Sequence, residues 1–179
     1  RRRADQAVLL LRSHIEAMYD ALESQGDRVE IHWLFPATPE ALRAAVSGQS
    51  VPAPDVILLD AVTSHDDAQG GAPLIRFESD ASEGQGLAAE TLGAILREGN
   101  AGLLVLRAPG SADYARALAR EAGVPVMWLD EGLDEAAVRA AMTAALAALL
   151  AGHTVSGAVA EAQRALSEGD PRLGAEGVI

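Results

Sequence analysis

Short apolar runs that recur between helix-like segments constrain the fold of this chain more than any other feature of its sequence. Val56–Leu59 follows a proline and an aspartate, and Leu103–Leu106 and Val124–Leu129 follow segments that contain glycine. Runs of this length and composition are typical of strands that are covered on both faces. Because they alternate with helical patterns, they predict an α/β fold, a three-layer α/β/α sandwich with a mostly parallel sheet between helical layers.

The segments between the apolar runs carry helical periodicity and helix-end signals. Apolar residues at spacings of three and four predict a first helix over Ala4–Ser24. Thr38 and Pro39 are typical of an N-cap and a first helical position, in a short helix that ends at Val46. The remaining predicted helices cover Ala88–Glu98, Ser111–Ala122, Asp134–Gly152 and Thr154–Ser167. We expect a single domain over residues 1–168, followed by a tail or junction over residues 169–179.

Two further strands and two loops complete the predicted organisation. Val29, Ile31 and Trp33 alternate with polar residues and predict a strand with one wetter face. Another strand is predicted over Leu74–Phe77. The polar, glycine-rich segments Asp60–Pro73 and Glu78–Gly86 are predicted to be loops, the first of them at the carboxyl end of a strand.

Composition excludes several classes of chemistry. The 179 residues carry 14 basic and 26 acidic side chains, a net charge of −12, and contain no cysteine. Every basic residue is arginine, so mechanisms that need a thiolate, a cysteine-bound zinc or a lysine are excluded. An acidic chain is a poor nucleic-acid binder, and the apolar stretch Ala140–Ala151 is too short to span a bilayer. We therefore expect no cofactor, nucleic acid or membrane partner.

The ends of two predicted strands carry the candidate binding residues. Asp60, His65 and Asp66 follow the first strand, and Arg107 and Ser111 follow the second. Ligands of open α/β sheets bind outside the carboxyl ends of strands, so these residues are predicted to border a cleft. Simpler interpretations are that Asp60 caps a turn and that Arg107 is a surface arginine beside a capped helix.

The loop residues His65, Asp66 and Asp67 also offer hard ligands for Zn²⁺ or Mn²⁺. Three adjacent side chains rarely converge on one ion, and no distant ligand is evident in the sequence. The structural alternative is a solvated loop.

Several segments resemble a known family when they are taken in order. They are Leu58–Thr63, Leu74–Glu78, Leu103–Ser111, Ala122–Trp128 and Leu150–Ala158. Their order and spacing resemble those of the CHAT domains, caspase-like cysteine peptidases of the caspase–separase clan. The resemblance extends from about Ala7 to Leu166 and implies a caspase-like fold.

The resemblance also implies what is missing. In CHAT peptidases a histidine after one strand accepts a proton from a cysteine after another, and the thiolate attacks a peptide carbonyl. The matching positions here hold Val62 and Pro109, neither of which can transfer a proton or act as a nucleophile. The expected protein is therefore not an enzyme. It is a cytoplasmic interaction or scaffolding module in a larger bacterial signalling or defence protein, with a basic protein or peptide, or neighbouring domains of its own chain, as partners.

Two other functions stay open on the sequence. One is a hydrolase that uses a relocated pair of Ser111 and His65, or a metal bound by His65, Asp66 and Asp67. A Ser–His pair would need both loops to shift to within about 3 Å of each other. The other is a purely structural domain that packs against its neighbours in a longer chain.

Overall fold

The computed structural model describes residues 30, 32–34, 36–66, 72–77, 85–107, 112–129 and 133–169. The chain forms two compact units, one made of Arg1–Ile31 with Glu131–Val178 and the other of His32–Asp130. The elements are α1 Pro39–Val46, β1 Val56–Asp60, β2 Val62–Asp66, β3 Ala72–Phe77, β4 Gln85–Leu87, α2 Ala89–Arg97, β5 Leu103–Arg107, α3 Ala112–Ala122, β6 Val126–Leu129, α4 Glu135–Leu150 and α5 Val155–Gly169. The predicted helix over Ala4–Ser24 and the predicted tail beyond Gly169 lie outside the described residues.

The unit over residues 32–130 is a mixed α/β structure with a parallel sheet of order β1-β5-β6. The three apolar runs of the sequence form these strands, which confirms the prediction of a mostly parallel sheet. Among the described strands of this sheet, β5 lies between β1 and β6. Accordingly Leu103–Leu106 is fully buried, whereas most of β1 is only partly buried.

The two faces of the parallel sheet are distinct. Register partners share a face, so Ile57, Leu104 and Val126 lie on one face together with Leu106 and Trp128. These residues form the core of the unit with apolar side chains of three helices, namely Leu42 and Val46 of α1, Leu92, Ile95 and Leu96 of α2, and Tyr114, Ala115 and Leu118 of α3. The opposite face carries Leu103, Val105, Met127 and Leu129, which are also buried.

A small antiparallel sheet of order β2-β3-β4 accompanies the parallel one. It corrects the prediction that Asp60–Pro73 and Glu78–Gly86 are loops, since Val62–Asp66 and Gln85–Gly86 belong to strands. The polar residues of β2 gave no strand signal of their own. Pairing with β3, which places Thr63 opposite Ile75, supplies the hydrogen bonds that local propensity does not.

Close contacts and capping hold the helices of this unit. The Thr38 hydroxyl accepts a hydrogen bond from the Ala41 amide at 3.1 Å, as the sequence predicts for an N-cap. Gly99 lies so close to the end of α1 that a Cβ atom there would be 2.4 Å from the Val46 carbonyl oxygen. The predicted strand over Val29–Trp33 is not found in the described part of that segment, where Glu30 and His32–Leu34 are outside any strand and Trp33 is 60% exposed.

The described part of the other unit is the antiparallel helix pair α4 and α5. Asp134 caps α4 by accepting a hydrogen bond from the Ala137 amide at 2.8 Å, and Gly152 ends it with a φ of +86°. Thr154 then accepts a bond from the Gly157 amide at the start of α5. Within the described residues, none of the helices has the length and apolarity needed to cross a membrane.

Candidate functional site

Two charged side chains meet at the carboxyl ends of β1 and β5. Asp60 and Arg107 are the last residues of these neighbouring parallel strands and are register partners. Nη1 of Arg107 lies 3.6 Å from Oδ2 of Asp60, and the two side chains are only 11% and 9% exposed. By strand alternation the pair lies on the face of the sheet opposite the α1–α3 core.

The local sequence explains this pairing. Each strand is an apolar run that ends in a charged residue, and parallel strands bring such ends to the same edge of the sheet. A buried charge is costly unless an opposite charge accompanies it, so the two side chains face each other in place of water. The interpretation of Arg107 as a surface arginine is therefore wrong, and Asp60 has a charged partner.

The electrostatics of Asp60 reflect its burial. Loss of hydration raises the pKa of the Asp60 carboxyl above its ordinary value, and the positive charge of Arg107 opposes that shift without cancelling it. Within the part of the chain that the structure describes, Oδ2 of Asp60 accepts no hydrogen bond. The site therefore contains a closely neutralised charge pair in which one buried acceptor atom is unused.

The chain turns away from this pair at Ala61. The Ala61 amide donates a hydrogen bond of 2.9 Å to the Arg107 carbonyl oxygen, and the next residue begins β2. His65 and Asp66 are the last two residues of β2, and His65 follows Val62 by three residues, about 10 Å along an extended strand. The structure thus brings Asp60 and Arg107 together and places His65 and Asp66 further along the adjoining hairpin.

The other candidate residues are Ser111, Asp67 and Pro109, which lie outside the described residues. The relocated Ser111–His65 pair and the metal site that includes Asp67 therefore stay predictions. Among the residues that are described, no group of three His, Cys, Asp or Glu is arranged to hold a metal ion.

Tyr114 is a buried polar residue that sequence reasoning missed. Its hydroxyl donates a hydrogen bond of 3.1 Å to the Leu87 carbonyl oxygen and so ties α3 to the end of β4. Burial, assisted by the negative charge of Glu90, raises the pKa of Tyr114. The available signal was its position four residues before Leu118, on the buried face of α3.

An open groove also lies on the helix pair, where no sequence pattern predicted one. It is lined mainly by alanines of α4, with Ala165, Arg164 and Glu168 of α5 at its side. Arg164 is engaged by Glu161 and Glu168 at 2.5 Å and 2.9 Å. Small side chains leave this groove shallow, and its polar lining residues are Arg139 and Thr143 of α4 and Arg164 and Glu168 of α5.

Comparison with known proteins gives no assignment. No protein-family model, no curated protein and no solved structure matches the chain.

Proposed function

We propose that this chain is a catalytically inactive, caspase-like CHAT module that binds a protein partner. The proposal includes the three-layer α/β/α arrangement of that fold. It also includes a role as a scaffold in the cytoplasm, within a larger bacterial signalling or defence protein. The module holds a polypeptide segment at the carboxyl edge of the parallel sheet without cleaving it.

The observation that carries the proposal is the adjacency of β1 and β5. The two strands are parallel neighbours, and Asp60 is the register partner of Arg107. The positions that match the CHAT histidine and cysteine, Val62 and Pro109, each follow one of these strand ends by two residues. A pair of neighbouring parallel strands is the arrangement that a dyad split between two strand ends requires.

The residues at these positions support the absence of catalysis. Valine and proline have no group that ionises or attacks a carbonyl, so neither step of thiolate chemistry is available to them. Asp60 and Arg107 neutralise each other beside these positions. An arginine stays protonated at all physiological pH values and is a poor proton acceptor.

The charge of the chain supports a basic partner. A net charge of −12 attracts cationic segments and accelerates their association at low ionic strength. The candidate contact residues are Asp60, His65, Asp66, Arg107 and Ser111, in the cleft predicted from the sequence.

A cross-linking experiment tests the alignment. The chain has no native cysteine, so Val62→Cys and Pro109→Cys can be introduced together and treated with a short dithiol-bridging reagent. We expect efficient intramolecular bridging, detected by mass spectrometry. Val62→Cys with Thr91→Cys, on the exposed side of α2, is the control. Bridging no better than in this control would contradict the CHAT alignment.

Activity assays test the loss of catalysis. We expect no cleavage of fluorogenic peptides, no reaction of Ser111 with a fluorophosphonate probe, and no retained Zn²⁺ or Mn²⁺. Labelling of Ser111 that disappears in His65→Ala would establish the hydrolase alternative instead.

A binding assay tests the partner class. Immobilised basic peptides should retain the protein more strongly than acidic peptides of equal length, and added salt should weaken that retention. Asp66→Asn with Asp67→Asn should reduce it. If neither added salt nor the Asp66→Asn and Asp67→Asn variant reduces retention, the partner binds at another part of the protein.

A further inference from the structure

Trp33 is the large apolar side chain that the described part of the chain leaves most open to water. It is 60% exposed, whereas Trp128, the other tryptophan, is buried in β6. The next residue, Leu34, packs against the core of the unit and so holds the backbone at Trp33 in place. An indole that is both exposed and anchored is the kind of side chain that dominates the binding energy of protein interfaces.

The three helices that cover one face of the parallel sheet run side by side in the same direction. α1 ends beside Gly99, which follows α2, and Arg97 at the end of α2 is paired with Glu121 near the end of α3. α3 connects the carboxyl end of β5 to the amino end of β6, so its first residues lie at the carboxyl edge of the sheet. Since the three helices share a direction, α1 also begins at that edge.

The start of α1 places Trp33 at the same edge as the candidate site. Trp33 precedes Thr38, the N-cap of α1, by five residues, which is at most about 17 Å of chain. The chain turns between them, because the Thr38 amide donates a hydrogen bond of 3.0 Å to the Pro36 carbonyl oxygen. Asp60 and Arg107 end their strands at that carboxyl edge. The exposed indole and the charged strand ends therefore belong to one edge of the sheet.

The chemistry of the ligand follows from the ring and from the charge of the chain. The face of an indole attracts cations, and arginine stacks on it better than lysine because its planar guanidinium is weakly hydrated. The net charge of −12 attracts basic segments to the chain. An apolar side chain would use the ring and gain nothing from that charge, whereas an arginine gains from both.

Building on the binding function proposed above, we propose that Trp33 stacks on an arginine side chain of the basic partner and so makes the module prefer arginine to lysine. The acidic surface attracts either residue, and the indole distinguishes between them.

The two tryptophans allow a direct test by NMR. Each contributes one indole N–H signal, and Trp33→Leu assigns the two signals. The ligands are three peptides of equal length that differ only in carrying arginine, lysine or neutral citrulline. We expect the arginine peptide to shift the Trp33 signal saturably and to leave the buried Trp128 signal in place. The lysine peptide should bind roughly threefold more weakly, and the citrulline peptide at least about tenfold more weakly.

Two substitutions separate the aromatic face from simple apolar contact. Trp33→Leu keeps an apolar side chain, and Trp33→Phe keeps a smaller aromatic ring. The leucine variant should bind the arginine peptide roughly fivefold more weakly and lose the preference over lysine, and the phenylalanine variant should be intermediate. Asp66→Asn with Asp67→Asn is the matched control, which should weaken binding of the arginine and lysine peptides by the same factor.

Equal binding of the arginine and lysine peptides by the natural chain would overturn the inference, whether or not the variants fold. Binding of the arginine peptide that leaves the Trp33 signal in place, or that is as strong in Trp33→Leu, would overturn it as well. In each case basic peptides still bind, so the proposed function stands. Absence of binding by both basic peptides would overturn the proposed partner class together with this inference.

Discussion

The parallel and antiparallel sheets of the unit over residues 32–130 use similar apolar residues in different ways. In the parallel sheet, β5 is buried along Leu103–Leu106, on both of its faces. In the antiparallel sheet, β3 alternates, with Ile75 and Phe77 buried and Arg76 exposed. One sheet is therefore enclosed on two sides, and the other turns one side to water.

This difference decides where charged residues can be placed. The antiparallel sheet accommodates Arg76 on its wet face in the middle of a strand. In the parallel sheet, β1 and β5 carry charges only at their ends, and there the buried side chains of Asp60 and Arg107 compensate each other. The charge pair is thus a consequence of the burial of these two strand ends.

The largest effect should come from the centre of the parallel sheet. Leu104→Ala removes a completely buried side chain from β5 and should lower the free energy of unfolding by about 3 kcal/mol. Leu74→Ala in β3, where the leucine is half-buried, should lower it by about 1 kcal/mol. Urea unfolding measures both. Equal losses would mean that the two sheets are equally enclosed.

The second-largest difference in stability between the two regions should come from close packing around a glycine. A Cβ atom on Gly93 of α2 would lie 2.7 Å from the Glu121 Cβ and 2.9 Å from that residue's backbone carbonyl carbon, which leaves no room to adjust. Gly93→Ala should therefore cost about 2 kcal/mol, despite the better helix propensity of alanine.

Gly86 of β4 provides the matched substitution in the antiparallel sheet. A Cβ atom there would be 2.8 Å from Cδ1 of Leu74, the far end of a flexible side chain that can rotate away. Gly86→Ala should cost less than about 1 kcal/mol. Thermal unfolding of both variants tests the contrast, and a larger loss for Gly86→Ala would reverse it.

The third prediction concerns the hydrogen bond from Tyr114 of α3 to Leu87 of β4, which links the two regions. Tyr114→Phe leaves the buried Leu87 carbonyl oxygen without its donor and should cost about 1 kcal/mol at neutral pH. The folded-state pKa of Tyr114 is raised, so the folded protein retains that proton more strongly than the unfolded chain. Stability should therefore be unaffected by this group below about pH 10 and should fall as pH rises further.

The dependence of stability on alkaline pH is simple to interpret in this chain. It has no lysine and only two tyrosines, so few other groups titrate between about pH 10 and 12. The natural chain should lose stability over that interval more steeply than Tyr114→Phe. The control is Tyr19→Phe, which removes the other tyrosine and keeps Tyr114. Parallel pH profiles for the natural chain and Tyr114→Phe would contradict the assignment.

The smallest effect should come from an ion pair on the surface of the helices. Arg43 and Glu98 join α1 to the end of α2 at 3.1 Å, and both side chains are nearly half exposed. A double-mutant cycle with Arg43→Ala and Glu98→Ala should give a coupling of about 0.5 kcal/mol or less, reduced further by salt. A coupling of several kcal/mol would make this exposed pair comparable to a buried one.

Sequence reasoning succeeded where the physical signal is local. The apolar runs of β1, β5 and β6 and the cap at Thr38 need only their own residues and immediate neighbours to be recognised. It failed for β2, since Val62–Asp66 is a strand only through its pairing with β3. The same limitation applied to the site: Asp60 and Arg107 were both candidates, but their pairing depended on a register between strands 47 positions apart in the chain.

Taken by itself, the order of residues determined the α/β class, the three parallel strands and the absence of thiol and lysine chemistry. These properties follow from periodicity, which is a pattern of a few neighbouring residues, and from composition, which does not depend on contacts between residues. The tertiary structure alone decided that β5 lies between β1 and β6, that a polar segment becomes β2, and that Arg107 is buried against Asp60. Each of these depends on which distant segments exclude water from one another. The free energy of that burial is gained only once the chain has folded.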